Sequence, residues 1–379
     1  MFFLFLALSQ QIVPPKPFLK MIPLTNAKKI RIAVAAACIA ALLFSCHKTY
    51  IVQSDYRTAV PLQIQYDTTG GQNSVTPHVV ININGQAIDV IFDTGSNGLR
   101  ILNGALHGAP VDSDTEWVSI GYGFSPPYFY IRGNVAGGDF SINGLSNNNS
   151  LRFMVIRSTS ADSTGPWNST LDSTAISSGH FHNFEGIMGV GFRLTSGNNG
   201  IANPLAQLPG NGSYIVEFPP YTGATGSVII NPNSSDAAGF VMFPLTADFT
   251  LLPNGMNSWQ DNMLNGTLTV NGTPISGTTL IDSGDPTTDA TAVTLPFTGL
   301  VPPGESVSMQ LTEPDKTVPS VSSTFKVSTQ TSGKDLAALV SEKTGPTRVV
   351  FGVNIFFQYD IFYDQANGRI GLRKKQFVP

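Results

Sequence analysis

The chain has 379 residues, with 21 lysines and arginines and 25 aspartates and glutamates, so only 12% of its residues are charged. This is about half of the usual share in soluble domains, and the absence of a long basic run excludes an electrostatic surface for nucleic acid. The 37 glycines and 26 prolines favour short strands joined by turns over helices. Two cysteines, Cys38 and Cys46, exclude a disulfide scaffold and a zinc site built on cysteines. We therefore predict an all-β fold.

The first part of the chain has the pattern of an export signal. Basic residues at 28–31 precede an apolar run over 32–44, which is too short to span a bilayer, where about 20 apolar residues are needed. The run ends in Leu-Phe-Ser-Cys46, which resembles the lipobox of bacterial lipoproteins, whose cysteine becomes the lipidated first residue. We predict a signal peptide over 1–45, with Met21 as an alternative start. Plain secretion and a membrane anchor are the competing interpretations.

A lipidated Cys46 would hold the mature chain at a membrane surface while its fold stays in water. The residues that follow, 46–57, are predicted to be a linker. We expect the protein in the bacterial cell envelope. The absence of an aspartate directly after Cys46 favours the outer membrane, on its periplasmic or surface side. With one cysteine left, the mature chain would have no disulfide.

After the linker, apolar and polar residues alternate in short runs. Two hairpins are predicted over 78–92 and 267–281, because in each an Asn-Gly pair separates two alternating runs. Other alternating runs predict strands over 117–122, 128–135, 151–156, 214–218 and 227–231. Helical patterns are confined to 203–208 and 334–342.

Both hairpins end in the same chemical group. The first runs into Asp93-Thr94-Gly95-Ser96, and the second runs into Asp282-Ser283-Gly284-Asp285. Two further segments, 184–189 and 348–352, match each other in presenting two apolar residues followed by glycine. The chain therefore contains a degenerate internal repeat, and each copy contributes one aspartate at the end of a strand.

In this order the segments resemble the pepsin-like aspartic peptidases over essentially the whole mature chain, closest to a poorly characterised bacterial lipoprotein branch. Tyr122 stands at the place of the flap tyrosine, and residues 351–372 resemble the terminal strand pair of the family. The resemblance implies a bilobal pepsin-like acid protease fold, two β-rich lobes with an active-site cleft between them. The N-terminal lobe would cover 58–210 and the C-terminal lobe 211–379. A polypeptide substrate would lie extended in the cleft of a monomer, under a hairpin that carries Tyr122.

The residues of the two loops suit this chemistry. The two glycines let the loops approach each other closely, and the hydroxyl groups of Thr94 and Ser283 can tie the loops together. Two carboxyl groups that close share one proton. We expect ionised Asp93 to activate a water and protonated Asp282 to donate to the carbonyl oxygen of the scissile amide, with cleavage favoured at acid pH. No metal or other cofactor is expected.

Asp285 departs from the family pattern. Ser96 supplies a hydroxyl that donates to the carboxylate of the first loop, but an ionised Asp285 cannot donate to Asp282 and would raise its pKa. Three outcomes are open: Asp285 is protonated and donates, it turns to solvent, or it disables the second loop. Arg100 is a second departure, at a position near the first specificity pocket where many relatives carry an aromatic residue. The alternative function is a catalytically silent pepsin-fold surface protein that binds peptides or glycans.

Overall fold

The computed structural model describes residues 56–376, apart from 68–73, 109–111, 123–128, 161–162, 166–180, 182, 195–199, 222, 294, 296, 314–316, 329–337 and 343. At 67, 74, 112–117, 122 and 129 it describes the backbone alone. The predicted signal peptide, Cys46 and most of the predicted linker lie outside these residues. The all-β prediction is confirmed, because the described residues form strands with a few short helical turns.

The strands up to residue 190 are β1 Thr58–Asp67, β2 Ser74–Ile83, β3 Gln86–Asp93, β4 Asn97–Leu102, β5 Asp112–Tyr122, β6 Phe129–Gly138, β7 Phe140–Ile142, β8 Leu145–Ser146, β9 Leu151–Ser160 and β10 Gly186–Val190. The later strands are β11 Tyr214–Glu217, β12 Thr225–Ile230, β13 Val241–Pro244, β14 Ala247–Leu251, β15 Asn257–Trp259, β16 Leu264–Val270, β17 Thr273–Ile281, β18 Thr288–Ala292, β19 Gly299–Leu300, β20 Ser306–Thr312, β21 Val321–Lys326, β22 Ala338–Glu342, β23 Arg348–Phe351, β24 Tyr359–Asp364 and β25 Arg369–Lys374.

Within the described residues these strands form three sheets. The largest has 15 strands, and its main path is β13-β25-β24-β11-β12-β1-β2-β3-β10-β4-β9-β6-β5, with β7 paired to β2 and β8 paired to β7. The second has 8 strands in the order β19-β22-β18-β23-β17-β16-β20-β21, and β14 pairs with β15 in a small sheet. The first aspartate loop follows a strand of the largest sheet, and the second aspartate loop follows a strand of the 8-stranded sheet.

Both predicted hairpins are present and turn where the sequence predicts. β2 pairs with β3 and β16 pairs with β17, each antiparallel and in regular register. The turn residues have positive φ in both hairpins, 49° and 88° at Asn84-Gly85 and 49° and 80° at Asn271-Gly272. This backbone suits the right-handed twist of the strands, and asparagine and glycine adopt it at low cost.

The internal repeat reappears in the pairing of the two aspartate strands. β10 lies parallel to β3, with Gly189 opposite Asp93, and antiparallel to β4. In the second half, β23 lies parallel to β17, with Phe351 opposite Ile281, and antiparallel to β18. The two matched apolar segments of the sequence therefore have the same structural role. Each one forms a strand that pairs in parallel with the strand that ends in an aspartate loop.

Helices are short in the described part of the chain. They comprise 3-10 turns at Asn103–Leu106 and Leu205–Gln207 and one turn of α-helix, α1, at Val353–Phe356. The predicted helix over 334–342 is wrong for its described residues. β22 pairs in parallel with β18 and buries Ala338 and Val340 in alternation, so sheet pairing overrides the helical pattern. No helix within the described ranges is long and apolar enough to cross a membrane.

Candidate active site

The two aspartate loops meet and interlock through hydrogen bonds. The Thr94 amide donates to Ser283 Oγ at 3.1 Å, and the Ser283 amide donates to Thr94 Oγ1 at 2.9 Å. Each hydroxyl also donates across to the other strand, Thr94 to the Ile281 carbonyl at 3.0 Å and Ser283 to the Phe92 carbonyl at 2.7 Å. Both side chains are fully buried. Four bonds between segments almost 190 residues apart thus hold the loops in one arrangement.

The glycine of each loop lies against the carboxyl group of the other loop. A Cβ atom on Gly95 would lie 2.0 Å from Asp282 Oδ2, and one on Gly284 would lie 2.7 Å from Asp93 Oδ1. Any larger residue at either position would collide with a carboxylate, since such short approaches do not occur between real atoms. The interlock therefore brings Asp93 and Asp282 together across the two loops.

Three hydrogen-bond donors of the first loop face the carboxyl group of Asp93. Its Oδ1 accepts from the amides of Gly95 at 2.7 Å and Ser96 at 3.1 Å, and its Oδ2 accepts from the Ser96 hydroxyl. The side chain is 7% exposed, so these three donors replace water around the carboxylate. Hydrogen bonds from donors favour the charged form of a carboxyl group.

Asp282 has the opposite surroundings. One donor, the Gly284 amide at 2.8 Å, faces its Oδ1. Burial of the carboxyl group raises its pKa well above the usual range, and the nearby charges of Asp93 and Asp285 raise it further. The raised pKa of Asp282 favours the protonated form of its carboxyl group.

Asp285 neither donates to Asp282 nor turns out to solvent, and the third expectation, that it disables the second loop, stays a prediction. Its Oδ1 accepts from the Thr287 amide at 2.9 Å and from the Thr287 hydroxyl at 2.8 Å, and no described hydrogen bond joins it to the Asp282 carboxyl. The residue is half-buried rather than turned out to water. Burial raises its pKa to about 6. The second loop thus lacks the hydroxyl donor of the first loop but keeps its interlocked backbone.

Asp289 was not predicted from the sequence, and it shares a partner with Asp285. Thr287 Oγ1 lies 2.6 Å from Asp289 Oδ1 and 2.8 Å from Asp285 Oδ1. A hydroxyl has one proton and can donate to one of these carboxyl groups at a time. The second of the two contacts is a hydrogen bond only if the aspartate on that side is protonated and donates to Thr287 Oγ1. Burial, followed by the charge of Asp285, raises the pKa of Asp289 well above its usual range.

Two stacked tyrosines support the loops, and sequence reasoning missed both. The rings of Tyr214 and Tyr363 lie 4.8 Å apart at an angle of 11°, and Phe192 packs edge-on against both. Tyr214 donates to the Val190 carbonyl at 2.6 Å, and Tyr363 donates to the Ile281 carbonyl at 3.4 Å. Burial raises both phenol pKa values well above 10, so the hydroxyls stay neutral donors. Both tyrosines lie in strands with runs of consecutive buried residues, so no alternation marked them in the sequence.

Two other residues singled out by the sequence, Tyr122 and Arg100, lie outside the two loops. Tyr122 is the last residue of β5, opposite Phe129 at the start of β6, and its side chain and residues 123–128 lie outside the described part. Its flap role therefore stays a prediction. Arg100 is 1% exposed in β4 and its Nη1 donates to the Gly98 carbonyl at 3.0 Å. Its charge is buried within the fold and does not line a surface pocket.

The described residues contain no group of three or more histidine, cysteine, aspartate or glutamate side chains that could hold a metal ion. A surface cavity of about 610 Å³ near Glu217, Asp360 and Arg373 includes no residue of the aspartate loops.

Compared with known proteins, the chain matches no family model and no curated protein. The chemistry available at the loops therefore follows from their geometry. An ionised and a protonated carboxyl group side by side can act as a general base and a general acid on one reaction.

Proposed function

We propose that the protein is an aspartic endopeptidase, a hydrolase that cleaves peptide bonds through a water activated by Asp93 and Asp282. The observation that carries the proposal is the interlock of the two loops, with the glycine of each loop against the carboxyl group of the other. This arrangement leaves the two carboxyl groups in different protonation states at one place. A single carboxylate at the end of a strand would have no such partner.

In the proposed reaction, ionised Asp93 takes a proton from a water molecule, whose oxygen attacks the carbonyl carbon of the scissile amide. Protonated Asp282 donates its proton to the carbonyl oxygen, and a tetrahedral diol results. Collapse of the diol reforms the carbonyl group and breaks the C–N bond. The amide nitrogen leaves with the proton held by Asp93, and Asp282 recovers its proton from the diol. Both carboxyl groups return to their starting states.

A pepsin-like bilobal fold is part of this proposal. The repeated pairing supports it, since β10 beside β3 and β23 beside β17 form the same arrangement around each aspartate strand. We propose that the substrate lies extended between the two loops, under the pair β5 and β6 that carries Tyr122. The lobe bounds 58–210 and 211–379 stay a prediction, and five strands of the second range, β11 to β13, β24 and β25, pair within the largest sheet.

We further propose that the enzyme is anchored in the bacterial envelope through a lipid on Cys46. The support is the basic and apolar sequence that precedes this cysteine. A Cys46→Ala variant should leave the membrane fraction and appear in the soluble fraction. Retention of this variant in the membrane would contradict the lipid anchor.

The alternative function, a silent surface protein that binds peptides or glycans, has one specific observation in its favour. Among the described residues one hydrogen-bond donor, the Gly284 amide, faces Asp282, and Asp285 does not supply the hydroxyl that Ser96 supplies in the first loop. If this loss prevents proton transfer, a cleft that binds chains without cutting them would remain.

An unbiased peptide library distinguishes the two functions. We would incubate it from about pH 3 to about pH 8 with residues 52–379, which form one compact unit. Under the enzyme proposal, a statine-type transition-state mimic blocks cleavage, and both Asp93→Asn and Asp282→Asn abolish it. The exposed Asp139→Asn serves as the control and should retain full activity. Absence of cleavage at any pH by the folded protein would favour binding, and then neither dyad variant should change peptide affinity.

A further inference from the structure

A buried ion pair lies next to the first aspartate loop and belongs to neither loop. Arg193 follows β10, and Asp261 follows β15. The Arg193 Nε atom lies 3.2 Å from Asp261 Oδ1, with side-chain exposures of 20% and 1%. The other carboxylate oxygen of Asp261 accepts from the Phe192 amide at 2.6 Å. The pair thus joins a residue that follows a strand of the largest sheet to one that follows a strand of the small sheet.

The guanidinium group of Arg193 contacts the loop itself. Its Nη2 donates to the Gly95 carbonyl at 2.6 Å. The neighbouring Gly191 amide donates to the Ser96 carbonyl at 2.8 Å, and the Asn97 side chain donates to the Arg193 carbonyl. Gly191 has no room for a side chain, because a Cβ atom there would lie 2.9 Å from both Asp261 Oδ2 and the Ser96 carbonyl.

One peptide group connects this cation to the catalytic carboxylate. The Gly95 carbonyl that accepts from Arg193 and the Ser96 amide that donates to Asp93 Oδ1 at 3.1 Å are the two ends of the same peptide unit. A positive charge at the oxygen end and a negative charge at the N–H end both align with the peptide dipole. Hydrogen bonds in such a chain polarise and strengthen one another.

We propose that Arg193, held in place by Asp261, is a positioning residue that orients the Gly95–Ser96 peptide towards Asp93 and favours the ionised form of Asp93. The inference rests on the proposed function and deepens it. It identifies a residue outside both aspartate loops that supports Asp93, the base of the dyad. It also couples β15, which ends two residues before Asp261, to the catalytic centre.

The other ionisable groups described around Asp93 include Asp282, Asp285, Tyr214 and Tyr363, each of which interacts with it electrostatically. These are carboxyl and phenol groups, and none of them carries a positive charge. Arg193 supplies the positive charge that contacts the loop, so its removal should make ionisation of Asp93 harder. The acid midpoint of the dyad should therefore rise when the charge is removed.

The test is a titration of the Asp93 carboxyl carbon by NMR in the full chain, with aspartate labelled and the signal assigned through its loss in Asp93→Asn. The variants are Arg193→Met, Arg193→Lys and Asp261→Asn. We expect the lower midpoint of the dyad to rise by about one pH unit in Arg193→Met, and Arg193→Lys to recover most of this change because it keeps the charge. Asp261→Asn should give an intermediate rise, because Arg193 loses its anchor.

Kinetics provide the second measurement. In Arg193→Met we expect kcat to fall by about 10- to 100-fold with little change in KM, and the acid limb of the pH profile to move with the NMR midpoint. Arg369→Met is the matched control, since Arg369 pairs with buried Asp364 at 2.6 Å in β24 and β25. This control should lower stability and leave the midpoint and kcat unchanged.

Two outcomes separate this inference from the proposed function. If the midpoint and kcat of Arg193→Met equal those of the wild type while its stability falls as in Arg369→Met, the ion pair is structural and the inference is wrong. If the wild-type protein cleaves no peptide, the endopeptidase proposal fails. The NMR midpoints would still decide whether Arg193 acts on Asp93, because they need no catalysis.

Discussion

Replacement of Asp285 by asparagine should change how the stability of this protein depends on pH. Asp285 accepts two hydrogen bonds from Thr287, and Thr287 also contacts the buried carboxyl group of Asp289. In Asp285→Asn the side-chain oxygen can keep both bonds from Thr287, and the shape of the residue is unchanged. What the substitution removes is the ability to ionise.

The size of the effect follows from the pKa of Asp285, which burial raises from 3.8 to about 6. A shift of this size corresponds to no more than about 3 kcal/mol of the free energy of unfolding. The folded state binds the proton more tightly than the unfolded state. This contribution is therefore fully present below about pH 4 and is lost as the pH rises through about 6.

Neighbouring carboxyl groups add to the effect in the same direction. The charge of Asp285 is among the causes that raise the pKa values of Asp282 and Asp289. Its removal lowers both of these pKa values towards their usual range. The free energy of unfolding of Asp285→Asn should thus decline less with rising pH than that of the wild type.

The assay is urea unfolding at intervals from about pH 4 to about pH 7, for the wild type, Asp285→Asn and the exposed control Asp139→Asn. We expect the wild type and the control to lose stability together across this range, and the Asp285→Asn curve to be flatter by up to about 3 kcal/mol. Parallel curves for Asp285→Asn and the wild type would refute the reasoning, because Asp285 would then titrate alike in the folded and unfolded states.

Three further predictions concern the two loops. Thr94→Ala and Ser283→Ala each leave a buried amide without its acceptor, so each should lower the free energy of unfolding by about 1–3 kcal/mol in urea and reduce cleavage. Gly284→Ala places a Cβ atom 2.7 Å from the Asp93 carboxyl group and should abolish cleavage in a protein that stays folded by circular dichroism. Asp285→Ser places a hydroxyl where Asp282 lacks a donor and removes a negative charge, so cleavage should be preserved or increased in the peptide assay.

Thr267→Ala is the control for the first of these, because Thr267 bonds to the hydroxyl of Ser276 on the exposed face of β16 and β17. Its effect on the free energy of unfolding should stay within about 0.5 kcal/mol. Wild-type cleavage by Gly284→Ala would show that the two loops do not form the catalytic centre. Loss of cleavage in Asp285→Ser would show that the enzyme requires Asp285, and that the missing hydroxyl does not limit it.

The strands and tight turns of this protein could be predicted from short stretches of its sequence. Apolar and polar residues alternate along a strand because its successive side chains point to opposite faces. The turns at Asn84 and Asn271 form because asparagine and glycine adopt positive φ at low cost. The position of an aspartate at the end of each hairpin follows from the same local pattern. The exception is β22, where a parallel neighbour that is distant in sequence decides the conformation.

The surroundings of each aspartate were decided by the tertiary structure. Thr94 and Ser283 are 189 residues apart, and the contact of Arg193 with Gly95 joins two strand ends that no periodicity connects. The contact of Asp285 with Thr287 is different, because it is local: the two residues are two positions apart, and sequence reasoning missed it. The sequence alone determined which chemical groups each loop carries, because local backbone preferences act over a few residues. Their protonation and their partners depend on burial and distance, which exist only once the sheets have packed.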